Sequence, residues 1–499
     1  MINIIISIIF PFIFLPIILN EYYIMQCNHY EVQKYMLYEK KKKIIVTCLL
    51  FLIFLMGIFT KYKYVSLITS LIITNISFIS GSKIKLTSRV KRFIIVYFTI
   101  TYLLVLFKVS KINLLLIVNS FIIFYMLIVH YISSLIEKII LFNYKKDAQK
   151  IIKDIDVIGI TGSYGKTSCK NILYDMLSEI VNVSKTPKSY NTKVGIIKSI
   201  RENCNSLDDY FICEYGVDKV GGMDKLLNVV KPNISLITEV GPQHLLSFKN
   251  IENIRKEKIK LGKILKENEA LVINGDNKYL KASIKEFKCN VITYGIKDNE
   301  DITCKNISFN KEGSEFDLYV YNKFIKHVRI KLLGKHNVSN VLGAIGVLVG
   351  LNISLENIDK LTSNIKQIEH RLELKKLGNI KVIDDAFNSN ESGFKNAIDI
   401  LSMMDGYKIV ITPGIIEQGK NSENINYELG KYMSDKVDLV VLVEQNAMTI
   451  KEGLISGKFD ENKVFIKKDF LEAFEFVRSC DKENKIVLIE NDLPRIYLK

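Results

Sequence analysis

The stretch "GITGSYGKTS", Gly159 to Ser168, constrains the fold more than any other part of the chain. A short β-branched run, "DVIGI" (156–160), enters it. "KTSCKNILYDMLSEIV" leaves it, with Ile172, Leu173, Met176, Leu177 and Ile180 at helical spacing. A strand, a glycine-rich turn and a helix in that order make a phosphate-binding loop, because the free N–H groups of the turn and of the helix start converge on one anion. The usual loop formula has a glycine where this chain has Ile160; here the glycines stand at 159, 162 and 165. The candidate phosphate ligands are Gly162, Ser163, Gly165, Lys166, Thr167 and Ser168. Lys166 is placed to reach the outer phosphates and Thr167 to bind a magnesium ion.

Further strands read at "YFICEYG" (210–216) and "ISLITEVG" (234–241), each ending in a polar cluster. Ligands of an open α/β sheet bind at the carboxyl ends of strands, so Glu214 and His244 belong at the edge that holds the loop. Taken alone, a Glu ending a strand is a solvated rim residue and a single His is structural; the case for both is the company they keep. From about 291 to 333 short alternating runs predict an antiparallel excursion. "GKHNVSN" then starts a helix, with Asn and Ser near its N-terminus. From about 380, "IKVIDD", "YKIVITPG", "VDLVVLV", "KVFIK" and "KIVLIEN" alternate with helical stretches and predict a second parallel sheet.

Ahead of this α/β portion lie five apolar runs, at 2–19, 44–59, 64–80, 93–107 and 112–136, each near the ~20 residues that span a bilayer, though three are short. The first lacks a basic leader and a small-residue cleavage site, which argues against a signal peptide. The loop at 21–43 carries Lys34 and Lys40 to Lys43, and the loop at 81–92 carries Lys83, Lys85, Arg89, Lys91 and Arg92. The other two hold only Lys61 with Lys63, and Lys108 with Lys111. Positive loops face the cytoplasm, so the expected protein is a multi-pass cell-membrane protein with its N-terminus outside and its catalytic part cytoplasmic. "LIEKIILFNYKKDAQKIIK" reads either as an amphipathic helix on the inner leaflet or as a plain linker helix. The runs are read as holding no acid or base that would make an ion path. The plain role of the region is an anchor; the sharper one is a site for a lipid-linked partner.

This placement absorbs much of the formal net charge of +16 and removes the main reason to expect a nucleic-acid partner. The eight cysteines, at 27, 48, 169, 204, 213, 289, 304 and 480, form no Cys-x-x-Cys pair, which fits reduced thiols rather than a zinc site or a disulfide framework.

After the loop come "TPKSYNTKVGI", "EYG", "ITEVGPQHL", "GKHNVSN", "HRLE", "IDDAFNSN" and "TPG", in that order. With "TGSYGKTS" they resemble the Mur ligase family over roughly 154–495. The family's loop has the form Gly-[Thr/Ser]-x-Gly-Lys-[Thr/Ser], which accounts for the glycine spacing. "IDDAFNSN" is similar to the Asp-Asp-x-Tyr-Asn-x-Asn signature of the members that add D-alanyl-D-alanine to a UDP-muramoyl tripeptide.

The apolar runs give a multi-span membrane region over 1–137 and a juxtamembrane linker over 138–153; beyond them the resemblance implies an α/β fold, with a P-loop central ATP-binding domain over 154–335 and a Rossmann-like C-terminal domain over 336–499 whose first helix packs on the central domain. It implies an ADP-forming ligase of peptidoglycan synthesis that joins a carboxylate to an amine through an acyl phosphate. By the family's pattern Lys166 and Thr167 hold phosphates and a first magnesium, to which Glu214 also belongs, and His244 binds a second. Lys258 stands where the family has a carbamylated lysine. Asn337 and Asn340 match its adenine-side asparagines, Arg371 its phosphate-contacting arginine and Asp385 the acid near the ribose; the last two are expected to reach ATP only on domain closure. Asn191 and Thr192 are expected along the substrate channel. The implied partners are a muramoyl peptide or other carboxylate, D-alanyl-D-alanine or another amine, and the membrane.

The chain departs from the pattern in two places. Membrane runs stand where the family has a soluble domain that grips the UDP-sugar, and "LIENDLPRIY" replaces a lysine-glycine-serine run. A lipid-linked or γ-glutamyl substrate therefore stays open beside the UDP-linked one. A P-loop transporter or sensor, and a non-catalytic wall scaffold, are the readings from other classes. The first lacks the Asp-Glu strand end and signature of a transport ATPase. The intact Glu214, His244 and Lys258 favour a ligase over a degenerate nucleotide sensor, and the unbroken motif set opposes the scaffold.

Overall fold

The computed structural model describes residues 2–28, 30–38, 40–59, 62–78, 84–106, 111–297, 299–310, 313–386, 390–415, 422–443 and 446–491. The chain divides into two units, Met1–Asn143 and Tyr144–Lys499.

The first unit is helical: α1 (Ile2–Cys27), α2 (Val32–Leu37), α3 (Lys40–Phe59), α4 (Lys63–Phe78), α5 (Ser88–Leu106), α6 (Lys111–Ser120) and α7 (Ile122–Ile151). Helices cover all five apolar runs. Among the described residues two of them, α3 and α7, are long and apolar enough to cross a membrane, and α4 is apolar over a shorter stretch, Tyr64–Ile76. Phe14, Tyr22, Tyr35, Leu50, Phe93, Tyr97 and Met126 share one core. The ends that carry the basic loops are tied together. The Gln26 side chain exchanges two hydrogen bonds with the Lys85 backbone, and Arg92 donates Nε to Glu137 at 2.5 Å. Glu21 accepts the Tyr35 hydroxyl at 2.5 Å and lies 3.8 Å from the Lys43 ammonium.

Two expectations are corrected here. His130, inside the run 112–136, is a buried base, so that run is not free of ionisable groups. "LIEKIILFNYKKDAQKIIK" is no separate surface helix for most of its length but the continuation of α7, whose last turns bury Ala148 and hydrogen-bond through Gln149 to the carbonyls of Asn228 and Val229. Lys61, Lys83 and Lys108 lie outside the described residues.

The second unit holds two sheets. Strands β1 (Asp156–Thr161), β2 (Val183–Lys185), β3 (Tyr210–Glu214), β4 (Ile234–Ile237), β5 (Ala270–Asn274), β6 (Asn290–Tyr294), β7 (Ile302–Asn310), β8 (Gly313–Val320) and β9 (Lys323–Ile330) form the first, in the order 2-3-1-4-5-6-7-8-9. It is parallel through β7 and antiparallel from there, so the excursion begins at β7, one strand later than the alternation suggested. Strand order reverses around β1, which is where α/β sheets open a ligand crevice. Register sets Ile160 opposite Glu214 and Thr161 opposite Ile237, so three strand ends meet at the loop.

The apolar face of α8 (Lys166–Leu177), with Ile172, Leu173 and Met176, packs into the same core as Ile158, Val272 and the helix Lys335–Gly350. Strands β10 (Glu373–Leu377), β11 (Ile380–Asp385), β12 (Tyr407–Thr412), β13 (Leu439–Val443), β14 (Val464–Lys467) and β15 (Lys485–Glu490) make the second sheet, ordered 10-11-15-12-13-14 and parallel except for β10. The sequence reading missed β10, whose charged "ELKKL" suits an exposed edge. All eight cysteines are free.

Candidate active site

Gly165 opens α8 with φ 77°, a left-handed conformation that costs a side chain strain, and a Cβ there would lie 2.7 Å from Asn340 Oδ1. A Cβ at Gly162 would lie 1.9 Å from Thr238 Oγ1. The loop has to be glycine because the chain after β4 forms its back wall. Ser163 N donates to Glu239 O at 2.6 Å, Ser163 Oγ to Gly241 O at 3.0 Å, and Tyr164 Oη to Pro242 O at 2.8 Å. That wall is the "ITEVGP" of the sequence.

Two lysines converge on one loop carbonyl. Lys166 Nζ donates to Gly162 O at 2.8 Å and Ser163 O at 3.0 Å, and the buried Lys258 Nζ donates to the same Gly162 O at 2.8 Å. Burial brings Lys166 down to about 8, with Arg371 adding to the effect and Glu214 opposing it. Burial and the neighbouring Lys166 push Lys258 well below the usual lysine value. Beside them Glu214, 1 % exposed, accepts three side-chain bonds: Thr167 Oγ1 at 3.0 Å and Lys170 Nζ at 2.9 Å on Oε2, and Asn191 Nδ2 at 2.9 Å on Oε1. Burial raises its pKa, but Lys170, Lys166 and the hydrogen bonds outweigh that and hold it below the usual carboxylate range.

The second sheet brings its own groups to this edge. Arg371 sits between His370 and Leu372, both at positive φ (58° and 50°), and a bulky side chain such as Leu adopts that conformation only when its surroundings impose it. Leu372 N donates to Asp385 Oδ1 at 3.2 Å, which fixes the turn to the end of β11. The guanidinium lies within electrostatic reach of Asp385, Glu214, Lys166 and His336. Burial raises Asp385 to about 6 against the pull of Arg371. Asn337 Nδ2 donates to Leu333 O at 2.9 Å, and Asn340 Oδ1 faces both Gly165 and Cys169 Sγ, the latter at 3.3 Å.

The Mur ligase middle domain matches residues 160–348, and the Mur ligase, glutamate ligase domain matches 370–490. The UDP-N-acetylmuramoyl-tripeptide–D-alanyl-D-alanine ligase of Bacillus subtilis (strain 168) is 30% identical over 328 residues, 64% of this chain and 69% of that one. The chain belongs to the Mur ligase family. The enzyme of the same name from Buchnera aphidicola subsp. Baizongia pistaciae is 32% identical over 267 residues, 53% of this chain and 58% of its own. MurF from Thermotoga maritima, solved with ADP, shares the fold with a TM-score of 0.62 at 23% identity, covering 70% of this chain and 80% of that one. MurF from Acinetobacter baumannii gives the same TM-score at 22% identity, covering 70% and 77%. Neither domain match extends into the first unit.

As a Mur ligase the chain is an ATP-dependent, ADP-forming ligase, and its loop suits the nucleotide. An ionised carboxylate beside a hydroxyl is a hard-oxygen pair of the kind magnesium takes. In this structure the Thr167 hydroxyl donates to Glu214, and Glu214 and the loop carbonyls accept from the chain's own lysines.

The other expected residues divide. Asn191 belongs to the Glu214 cluster by its hydrogen bond. The Thr192 hydroxyl accepts Gly195 N at 3.3 Å and caps the helix Lys193–Asn203. Ser168 is buried on α8. His244 is exposed, with φ 51°, and its carbonyl accepts the amides of Ser247 and Phe248. Phe387 to Ser389 of "IDDAFNSN", and the end of the chain from 492, lie outside the described residues.

The sequence reading of this Mur ligase missed Lys170 and His336. Lys170 follows Lys166 by one helical turn and shares its face, a signal that was present in the spacing. His336 is brought to about 4 by burial and Arg371, with Asn396 opposing, and its Nδ1 is buried without a partner among the described residues.

Proposed function

We propose that this Mur ligase joins the carboxylate of a muramoyl peptide to D-alanyl-D-alanine or a similar amine, through an acyl phosphate, in the assembly of cell-wall peptidoglycan. The observation that carries the reading is the cluster in which Thr167 and Lys170 meet Glu214 while Lys166 and Lys258 share the Gly162 carbonyl. The first chemical step brings a carboxylate against a polyphosphate. Lys166 offsets that repulsion once it turns from the loop carbonyls to the phosphates. Magnesium, when bound, supplies further positive charge there; Thr167 and Glu214 would hold one ion and His244 a second.

Asn337 and Asn340 bind the adenine side, Arg371 the phosphates and Asp385 the ribose, while Gly162, Ser163, Gly165 and Ser168 line the phosphate cradle. Asn191 and Thr192 stand nearest the carboxylate substrate. Lys258 is the candidate for carbamylation, because a neutral amine is the form that adds carbon dioxide and burial favours the neutral amine here. The domain limits follow the sequence reading: membrane region 1–137, linker 138–153, central domain 154–335 and C-terminal domain 336–499.

The membrane placement is proposed with the N-terminus outside and the ligase portion cytoplasmic. It is supported by the large apolar side chains the first unit leaves exposed, among them Phe59 at 81%, Ile76 at 79% and Leu106 at 77%. The same surface favours a second reading, in which the carboxylate substrate is carried on a lipid.

The test uses the full chain in nanodiscs. Phosphate release from ATP is measured with UDP-muramoyl tripeptide and D-alanyl-D-alanine, each omitted in turn, beside Lys166→Ala. Release that needs both substrates and Lys166 supports the wall-ligase reading. Release that ignores the amine overturns it. ATP binding without release in any combination sends the search to lipid-linked or γ-glutamyl substrates.

A further inference from the structure

Five buried polar atoms of the first unit have no hydrogen-bond partner among the described residues. Two of them, Asn119 Nδ2 and Ser120 Oγ, are neighbours at the end of α6; the other three are Tyr22 Oη, Arg89 Nε and His130 Nδ1. These three come from three helices, α1, α5 and α7, and lie together. The rings of Tyr22 and His130 are 6.0 Å apart. The Arg89 guanidinium stands 3.6 Å over the Tyr30 ring, which is itself 5.5 Å from Tyr22. Tyr22 stacks on Phe93 at 3.6 Å and 7°, so its hydroxyl is held rather than free to swing to water. Tyr22 is 0 % exposed and His130 5 %.

Helix packing leaves a buried polar atom unpaired only at a cost in stability, and three in one place add to that cost unless something else binds there. Their chemistry is that of an anion receptor: one fixed cation, one hydroxyl donor and one imidazole. The Glu137 carboxylate, whose charge reaches Tyr22, is already bound by both Nε and Nη2 of Arg92, at 2.5 and 2.9 Å, so it is neutralised rather than competing. Lys85 and Lys91 add charge close by in sequence.

The level of the cluster matters as much as its content. Tyr22 ends α1, Arg89 begins α5 and His130 lies in the half of α7 that leads toward Glu137. These are the ends that the loop charges assign to the cytoplasmic side, where lipid headgroups sit.

We propose that Tyr22, Arg89 and His130 form a binding site for the phosphate headgroup of a lipid. The proposal rests on the membrane placement above but not on the ligase chemistry, since it is read by binding without turnover. The probe is dioleoyl phosphatidic acid, added to the full chain in detergent and followed by native mass spectrometry, with dioleoyl phosphatidylcholine as the zwitterionic comparison. The expected result is preferential retention of phosphatidic acid, lowered about tenfold by Arg89→Gln and partly restored by Arg89→Lys. Tyr22→Phe is the more incisive variant. It is expected to lower retention while leaving the melting temperature little changed, because the hydroxyl's contact within the protein is with the Arg89 guanidinium of the same cluster. Equal retention of the two lipids, or retention that neither Arg89→Gln nor Tyr22→Phe alters, overturns the proposal. Displacement of phosphatidic acid by equimolar inorganic pyrophosphate overturns the lipid source and assigns the site to a soluble phosphate.

Discussion

In the second unit Ile158, Leu173, Val272 and Ile345 are buried and the lysines of the surface are solvated. In the first unit the arrangement runs the other way: Phe59, Ile68, Ile76 and Leu106 are exposed, while Glu21, Lys43, Asn119 and His130 are buried. Among the described residues, exposed large apolar side chains of the first unit outnumber those of the much longer second unit by about two to one. One rule accounts for both, since apolar groups leave water wherever water is. In the second unit water is outside; on the membrane placement proposed above, the first unit meets surroundings that offer no hydrogen bonds, and its polar groups turn inward and pair, as in Glu21 with Tyr35 and Lys43. Buried charge in the second unit gathers at the sheet edge with Lys170, Glu214, Lys258 and Asp385, while Glu300 and Lys485 are buried apart from it, each with its own partners. Burial there shifts titrations, which is what a site for anion chemistry requires.

The comparison can be broken in graded ways. The largest effect belongs to Lys166→Ala, which should lower ATP turnover about a thousandfold or more while leaving phosphatidic acid retention by the first unit unchanged. A parallel loss of both would mean that the units do not work separately. Next comes Lys170→Met, which strands the buried Glu214 charge. It should destabilise the second unit by about 3–5 kcal/mol in thermal melting, and adding Glu214→Gln should recover much of that. No recovery would show that Lys170 acts through packing alone.

A matched pair tests the surroundings directly. Ile68→Arg, on an exposed face of α4, should cost about 2.5–3.5 kcal/mol of membrane insertion and lower the yield in the membrane fraction. Ile466→Arg, on an exposed position of β14, should change stability by about 0.5 kcal/mol or less. Equal small effects would count against the membrane reading. The gentlest effect is on pH. Asp385 loses its charge as pH falls through about 6, and Lys166 loses its charge as pH rises through about 8. The profile of kcat/KM for ATP, which reports the free enzyme, should therefore fall on both sides of those values. A profile flat across both would show that neither group carries charge needed for ATP binding.

Most strands of both sheets, β2, β5 and β10 apart, were legible because buried parallel strands read as unbroken β-branched runs, as "VIGI" and "LVVLV" do. Lys166, Thr167 and Glu214 were legible because strand ends and the loop share one sheet edge. What the sequence hid depends on distance. Nothing local announces that Lys258 reaches back across 96 residues to Gly162 O, or that Asn191 turns to Glu214. His336 was hidden by its neighbours, since a motif that features asparagines draws the eye past the histidine beside them. His130 was missed inside a run judged by its apolar majority.

The most direct test of the central claim, that the second unit activates a carboxylate by phosphoryl transfer, is an oxygen-18 experiment on the full chain in nanodiscs. The muramoyl peptide is supplied with its reacting carboxylate labelled, together with ATP and D-alanyl-D-alanine, and the released phosphate is weighed. The account predicts one labelled oxygen in each phosphate, carried over from the carboxylate when the amine displaces it. Unlabelled phosphate, with label entering only from labelled water, would contradict it and make the chain an ATP hydrolase.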